Sequence, residues 1–237
     1  MAQDALTTDF LFVGDENPPV VASADGSVWR SYVSGNGSPS VKTENGFMKL
    51  DLDTTVEAQV AALYMGDELG FDIDDLLTVD FWLKCTASLG AQVSLSFGMC
   101  SAFNADPDSM AAHASFRCYG NNLILCETDD GTNDNDDVAA GESLGATVKR
   151  FTIDFASGVR TVVPPPSAGG KGEVLFSCGN TQNVLRPVAR LTRFDMSNYS
   201  SGLQPYAILQ KGLASSVIAS VEASLYIQRI RIRHRVP

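Results

Sequence analysis

Arg229, Arg231, Arg233 and Arg235 recur at every second position near the C-terminus, separated by Ile230, Ile232 and His234. Successive side chains of a strand point to opposite faces, so this spacing sets four guanidiniums in a row on one side. A row of that kind binds phosphates or carboxylates. Nucleic acid is the first candidate for an arginine stripe, but a pI of about 4.5 opposes a polyanion and no aromatic residue interleaves the tail, so no direct nucleic-acid contact is expected. The expected partner is the acidic surface of a neighbouring protein subunit, where complementary patches fix register. The plain alternative is an edge strand whose charges prevent aggregation. Leu225 and Ile227 have the opposite parity, which predicts a bulge near Gln228.

Three further groups carry possible chemistry. With Phe81 and Leu83 directed to a core, Trp82 emerges on the other face of its sheet, where an indole could stack on a sugar ring or anchor an interface; a loop or extra strand folded over that face would bury it instead. The run from Asp129 to Asp137 is rich in oxygen ligands, and Asp129, Asp134 and Asp136 are its calcium candidates. The run lacks EF-hand spacing and acidic loops are more often only solvated, so a solvated loop is the expectation and no cofactor is expected beyond this calcium candidate. Asp51 and Asp53 share a strand face about 6.5–7 Å apart, between the retaining and inverting glycosidase separations, and neither is a glutamate. His113 and His234 are the only histidines, one in an alanine-rich, loop-like stretch and one among arginines, and no nucleophile–His–Asp set assembles around them. The chain is expected not to be an enzyme.

The elements that must position these groups read as strands. Met48, Leu50 and Leu52 alternate with Lys49, Asp51 and Asp53, and the same period recurs at Val79–Cys85, Val93–Met99 and Phe151–Phe155. Looser runs follow at Phe10–Val13, Val28–Val33, Ala58–Met65, Ala114–Tyr119, Leu123–Cys126, Val159–Val163, Glu173–Cys178, Ala189–Met196, Pro205–Lys211 and Ser224–His234. Together these predict about fourteen strands. Gly120-Asn121-Asn122 marks a hairpin, Ala156-Ser157-Gly158 a second turn, and Pro164 to Gly170 an exposed loop. The one helix candidate, Asp67–Leu77, is short and contains Gly70.

With 237 residues and 44% apolar content, the chain is expected to form one domain, residues 1–237. No apolar run is long enough for a bilayer span, and the N-terminus has no basic and apolar export signal, so a soluble, non-exported protein is expected. Five cysteines without a Cys-x-x-Cys pair predict free thiols, with Cys85, Cys118 and Cys178 directed inward. Residues 1–148 hold 24 acids against 5 Lys and Arg, whereas residues 149–237 hold 4 against 12. A chain that segregates its charge in this way can orient partners or copies of itself.

Thr78-Val-Asp-Phe-Trp-Leu-Lys84, the strand–turn–strand beginning Lys149-Arg-Phe-Thr-Ile-Asp-Phe155, Leu203–Lys211 and the closing Leu225–Ile232 follow one another in an order that resembles concanavalin A-like (laminin-G-like) jelly rolls across most of the chain. The resemblance implies an all-β antiparallel sandwich with almost no helix, its closing strand beside the first. It also implies glycan binding, glycan hydrolysis or a structural role. Hydrolases of that family carry a Glu-x-Asp-x-Glu run, and this sequence has none. The composition and free cysteines are similar to those of tailed-phage virion proteins. That likeness implies a capsid-decorating or cementing protein in the virion, with other capsid or virion proteins as partners and self-association, a trimer first. A lectin-like module using Trp82 is the alternative function, and a glycanase using Asp51 and Asp53 is the third.

Overall fold

Period-2 runs become strands throughout the computed structural model, which describes residues 5–12, 29–54, 58–66, 70–86, 89–90, 92–155, 172–180, 184–212 and 223–235. In chain order the strands begin with β1 (Ala5–Leu11), β2 (Arg30–Gly35), β3 (Ser40–Glu44), β4 (Phe47–Leu52), β5 (Gln59–Tyr64) and β6 (Phe71–Asp72). Next come β7 (Leu76–Cys85), β8 (Val93–Cys100), β9 (His113–Cys118), β10 (Leu123–Asp129), β11 (Asp134–Ser143) and β12 (Lys149–Asp154). They end with β13 (Glu173–Asn180), β14 (Leu185–Pro187), β15 (Phe194–Asp195), β16 (Gly202–Lys211) and β17 (Ala223–Arg235).

Two antiparallel sheets face each other. The first runs β14-β13-β12-β7-β17-β4-β3, with β1 also on β17 and β15 on β13; the second runs β11-β10-β9-β8-β16-β5-β2, with β6 on β16. The all-β sandwich is therefore as expected, with 17 strands among the described residues. The excess comes partly from two- and three-residue pieces such as β6, β14 and β15, which are too short to show a period. β17 pairs with β4 through Ile227 and with β1 from Arg229 onward, and its register against β7 shifts between Ile227 and Arg229. That shift is the predicted bulge at Gln228. It reverses parity, so Leu225 and Ile227 stay in the core while Arg229 and Arg231 turn outward with Trp82.

The core lies between the sheets. Phe81, Phe97, Phe116, Phe151, Phe176 and Phe194 form a continuous chain of ring contacts, with centroids 4.8–5.5 Å apart. All five cysteines are buried and free, and burial pushes the Cys85 and Cys178 thiols up to about 11. A smaller apolar cluster covers part of the outer face of the second sheet, where Met110 packs with Ala62, Cys100, Tyr206 and Ile208, and Phe103 stacks on Tyr64 at 4.2 Å. The segment that follows β8, residues 101–112, folds back over its own sheet to make this cover.

Asp67–Leu77 is not a helix. Residues 67–69 lie outside the described residues, Ile73–Asp75 form a turn and Leu76 opens β7. Gly70 passes so close to Gly202 that an added Cβ would lie 3.0 Å from its Cα, and that approach requires the glycine. The Ala189–Met196 run gives strand only at Phe194–Asp195. The turn at 156–158, the strand at 159–163 and the loop at 164–170 lie outside the described residues. Among the described residues, no helix is long and apolar enough to cross a membrane.

Candidate functional site

β9 alternates cleanly. Ala114, Phe116 and Cys118 join the core, and His113, Ser115 and Arg117 stand on the outer face. Pairing of β9 with β10 sets Glu127 opposite Ser115, between His113 and Arg117. Glu127 is 1% exposed and His113 2%. A buried carboxylate needs partners. Arg117 supplies Nη1, 2.9 Å from both carboxylate oxygens, and His113 Nε2 lies 3.2 Å from Oε1.

Two neighbouring segments wall this floor. Asp106 caps a 3-10 turn at Pro107–Ser109, accepting from the Asp108 amide, and the turn carries Asp108 onto Arg117 Nη1. On the other side the β10–β11 hairpin closes with Asp129 opposite Asp134. Asp130 holds its turn, accepting from the amides of Thr132 and Asn133 and, across the molecule, from Asn198. The open cavity between them measures about 190 Å³ and is lined by Asp108, His113, Arg117, Tyr119, Glu127, Asp129, Asp134, Asp136 and Asp137.

Its field is strongly negative, with six carboxylates against one guanidinium. Burial, then the adjacent Asp136 carboxylate, raise the Asp134 pKa above its ordinary value. Burial also raises Asp137, against the opposing pull of Arg117. Burial would lower the Arg117 pKa, but Asp108 and Glu127 outweigh it and hold the guanidinium charged. Burial pushes the Tyr119 phenol up to about 12, and Arg117 lies over its ring at 5.3 Å.

The structure brings Asp129, Asp134 and Asp136 to one cavity, in a hairpin rather than the solvated loop expected from composition. Among the described residues, no three His, Cys, Asp or Glu side chains converge as metal ligands. His113 sits in β9, buried, and not in a loop.

The arginine row lies on the outer face of the opposite sheet. Arg229 binds Asp9 through Nε at 2.8 Å and through Nη2, Arg231 binds Asp80, and Arg235 donates to the Asp74 carbonyl at 3.2 Å. Arg233 is exposed. Trp82 is half-buried, with the guanidinium carbons of Arg150, Arg229 and Arg231 over its ring at 5.1, 4.9 and 5.0 Å. Asp51 and Asp53 do not share a cleft. Asp51 pairs with Lys49 at 3.0 Å and accepts from Ser224, whereas Asp53 turns to Gln59 and to Lys211 of the second sheet.

Asp108, Arg117, Tyr119 and Glu127 are the lining residues that the sequence reading missed. A signal existed for Arg117, the alternation His113-x-Ser115-x-Arg117 against Ala114, Phe116 and Cys118, which marks three polar groups on one outer face.

No family model matches the chain, and no curated protein sequence does. Solved structures do share its fold. Laminarinase from Flavobacterium sp. UMI-01 superposes with a TM-score of 0.61 at 12% identity, covering 95% of this chain and 98% of that one. The catalytic domain of an endo-1,3-β-glucanase (laminarinase) from Thermotoga petrophila RKU-1 gives 0.59 at 9% identity, covering all of both chains. Peanut lectin gives 0.56 at 11% identity, covering 98% and 97%. These likenesses correct the expectation that the chain is not an enzyme, because the sandwich it adopts is one that serves glucan hydrolases, and the missing Glu-x-Asp-x-Glu run excludes one arrangement of carboxylates rather than the reaction. The chain has the concanavalin A-like jelly-roll fold found in lectins and glucanases.

Proposed function

We propose that the chain binds a carbohydrate in the acidic cavity on the outer face of its second sheet. The observation that carries this is the lining itself: carboxylates and an imidazole surround a recess bordered by the Tyr119 ring. Planar polar groups that hydrogen-bond hydroxyls, beside a ring that covers an apolar sugar face, are what a saccharide requires. At about 190 Å³ the cavity is small beside the roughly 300–1,000 Å³ of drug-sized sites, so it admits one residue of a chain rather than a whole oligomer. Lectins and glucanases of the same fold support the reading. On a glycan array followed by titration, a bound glycan should leave Trp82 emission unchanged, and Tyr119→Ala should weaken it roughly tenfold. An empty array, or binding that quenches tryptophan and survives Tyr119→Ala, would overturn the assignment.

Glycoside hydrolysis is the second reading, and the Asp134–Asp136 pair favours it. A carboxyl with a raised pKa beside other carboxylates is the environment of a general acid. The acid must be protonated to act, so turnover should fall as pH rises through the raised Asp134 value. Reducing ends released from the bound glycan should disappear in Asp134→Asn; release unaffected by that change would remove Asp134 from the chemistry.

A virion-decorating role draws its support from the arginine row, and Asp9 and Asp80 already occupy two of its four guanidiniums.

A further inference from the structure

The outer face of the first sheet gathers cations along its central strands β7 and β17. Pairing of β12 with β7 and of β7 with β17 sets Arg150 and Arg229 on either side of Trp82, Arg231 opposite Asp80, Arg233 opposite Thr78, and Lys84 opposite Tyr226. Five cations there meet two carboxylates, Asp80 and Asp9. Arg150 and Arg231 bind Asp80, and Arg229 binds Asp9, each through Nε and Nη2. Among the described residues, the Nη1 donors of all three are unused. Lys84 lies over the Phe47 and Tyr226 rings at 4.7 and 5.2 Å, and Arg233 is exposed. Neither has a carboxylate partner among the described residues.

These donors are held in place and still reach solvent. Each of the three arginines is fixed along one edge by a carboxylate and against the Trp82 ring, so little side-chain freedom remains to be lost when Nη1 takes an anion. Their side chains are 19–32% exposed. The rings are engaged in turn: three guanidiniums lie over Trp82, and Lys49 and Lys84 lie over Tyr226. Rings covered in this way offer neither a stacking surface for bases nor the apolar anchor around which a protein interface is built. A hydrated polyanion needs neither, only charged donors spaced along its path. We infer that this face docks an acidic polysaccharide, a chain of uronic acid residues whose carboxylates pair with Arg233, Lys84 and the free Nη1 donors. The site is separate from the acidic cavity and stands whether or not that cavity holds a glycan.

The chain as a whole carries a net charge of −11, so long polyanions are repelled at a distance and short oligomers are the right probes. Calorimetric titration of the full chain with an octamer of galacturonic acid, its methyl ester, an octaglutamate peptide and an oligothymidylate of eight nucleotides tests the assignment. The galacturonate should bind roughly tenfold or more tightly than the other three, with an affinity that falls as salt is raised. Arg233→Ser removes an exposed cation, should leave the fold intact, and should weaken that binding several-fold; Arg233→Ser/Lys84→Gln should weaken it roughly 10–100-fold. Arg186→Ser changes the net charge as much as Arg233→Ser does, at an exposed position of β14, and should leave the affinity unchanged. Equal losses in the two single variants would reduce the effect to net charge and overturn the site. A methyl ester that binds as tightly as the acid would overturn the role of the carboxylates. Octaglutamate or oligothymidylate binding as tightly would assign the face to an acidic protein or a nucleic acid instead, and no galacturonate binding at low salt would remove the proposal outright.

Discussion

Glu127→Ala should lower the unfolding free energy by about 3–5 kcal/mol, the range for removing one partner of a buried ion pair. Arg117 lies at the floor of the cavity with its side chain only 7% exposed, and its Nη1 bonds both Glu127 oxygens at 2.9 Å. Truncating the carboxylate leaves that guanidinium with Asp108, whose own side chain is 63% exposed and well screened. His113 loses its partner at Nε2 in the same step. Glu127→Gln keeps an acceptor of the same shape and removes only the charge, so its cost should be smaller, of the order of 1–2 kcal/mol. Guanidinium chloride unfolding of the parent and both variants checks the ranking. An alanine variant within about 1 kcal/mol of the parent would mean that water or another carboxylate reaches Arg117 from the open side of the cavity. The ion pair is therefore both the support of β9 on β10 and the floor on which a ligand would rest.

Local signals made the sandwich legible. Met48, Leu50 and Leu52 read as a strand because burial on one face forces a period of two. Gly120-Asn121-Asn122 read as a hairpin because Asn122 takes a φ of 59°, and the Leu225/Ile230 parity break marked the bulge that β17 contains. Glu127 was invisible as a site residue because its meaning depends on register: only the pairing of β9 with β10 brings it between His113 and Arg117. β11 was misread for a different reason. Asp and Asn are poor strand formers, so Asp134-Asn-Asp-Asp137 looks like loop, yet β11 is the outermost strand of its sheet, where charge protects an edge from pairing with another chain. The charge split was real and its spatial sense was hidden. Acids between Asp108 and Asp137 gather on the outer face of one sheet, and Arg150, Arg229 and Arg231 gather around Trp82 on the outer face of the other.

On that second face, Asp80→Ala should cost about 3 kcal/mol and shift tryptophan emission. Asp80 is 1% exposed and binds Arg150 through Oδ1 at 2.9 and 3.0 Å, Thr152 at 2.6 Å, and Arg231 through Oδ2 at 2.7 and 3.0 Å. Without it, two guanidiniums meet across the Trp82 ring with no counterion between them. Both are partly solvated, at 19% and 26% exposure, which places the expected loss at the lower end of the range for a broken buried pair. Arg231→Ser should cost less, because Asp80 keeps Arg150 and Thr152. The double variant Asp80→Ala/Arg231→Ser should show positive coupling of about 0.5–3 kcal/mol, measurable by urea unfolding with far-UV dichroism and tryptophan emission as independent probes. Additive effects would mean that Asp80 is held by Arg150 and Thr152 alone. The outcome also decides how a docking role for the arginine row can be tested. If Arg231 is structural, its loss weakens any assembly by loosening the sheet, and Arg233, exposed on the same face, is the position whose substitution reports on a partner.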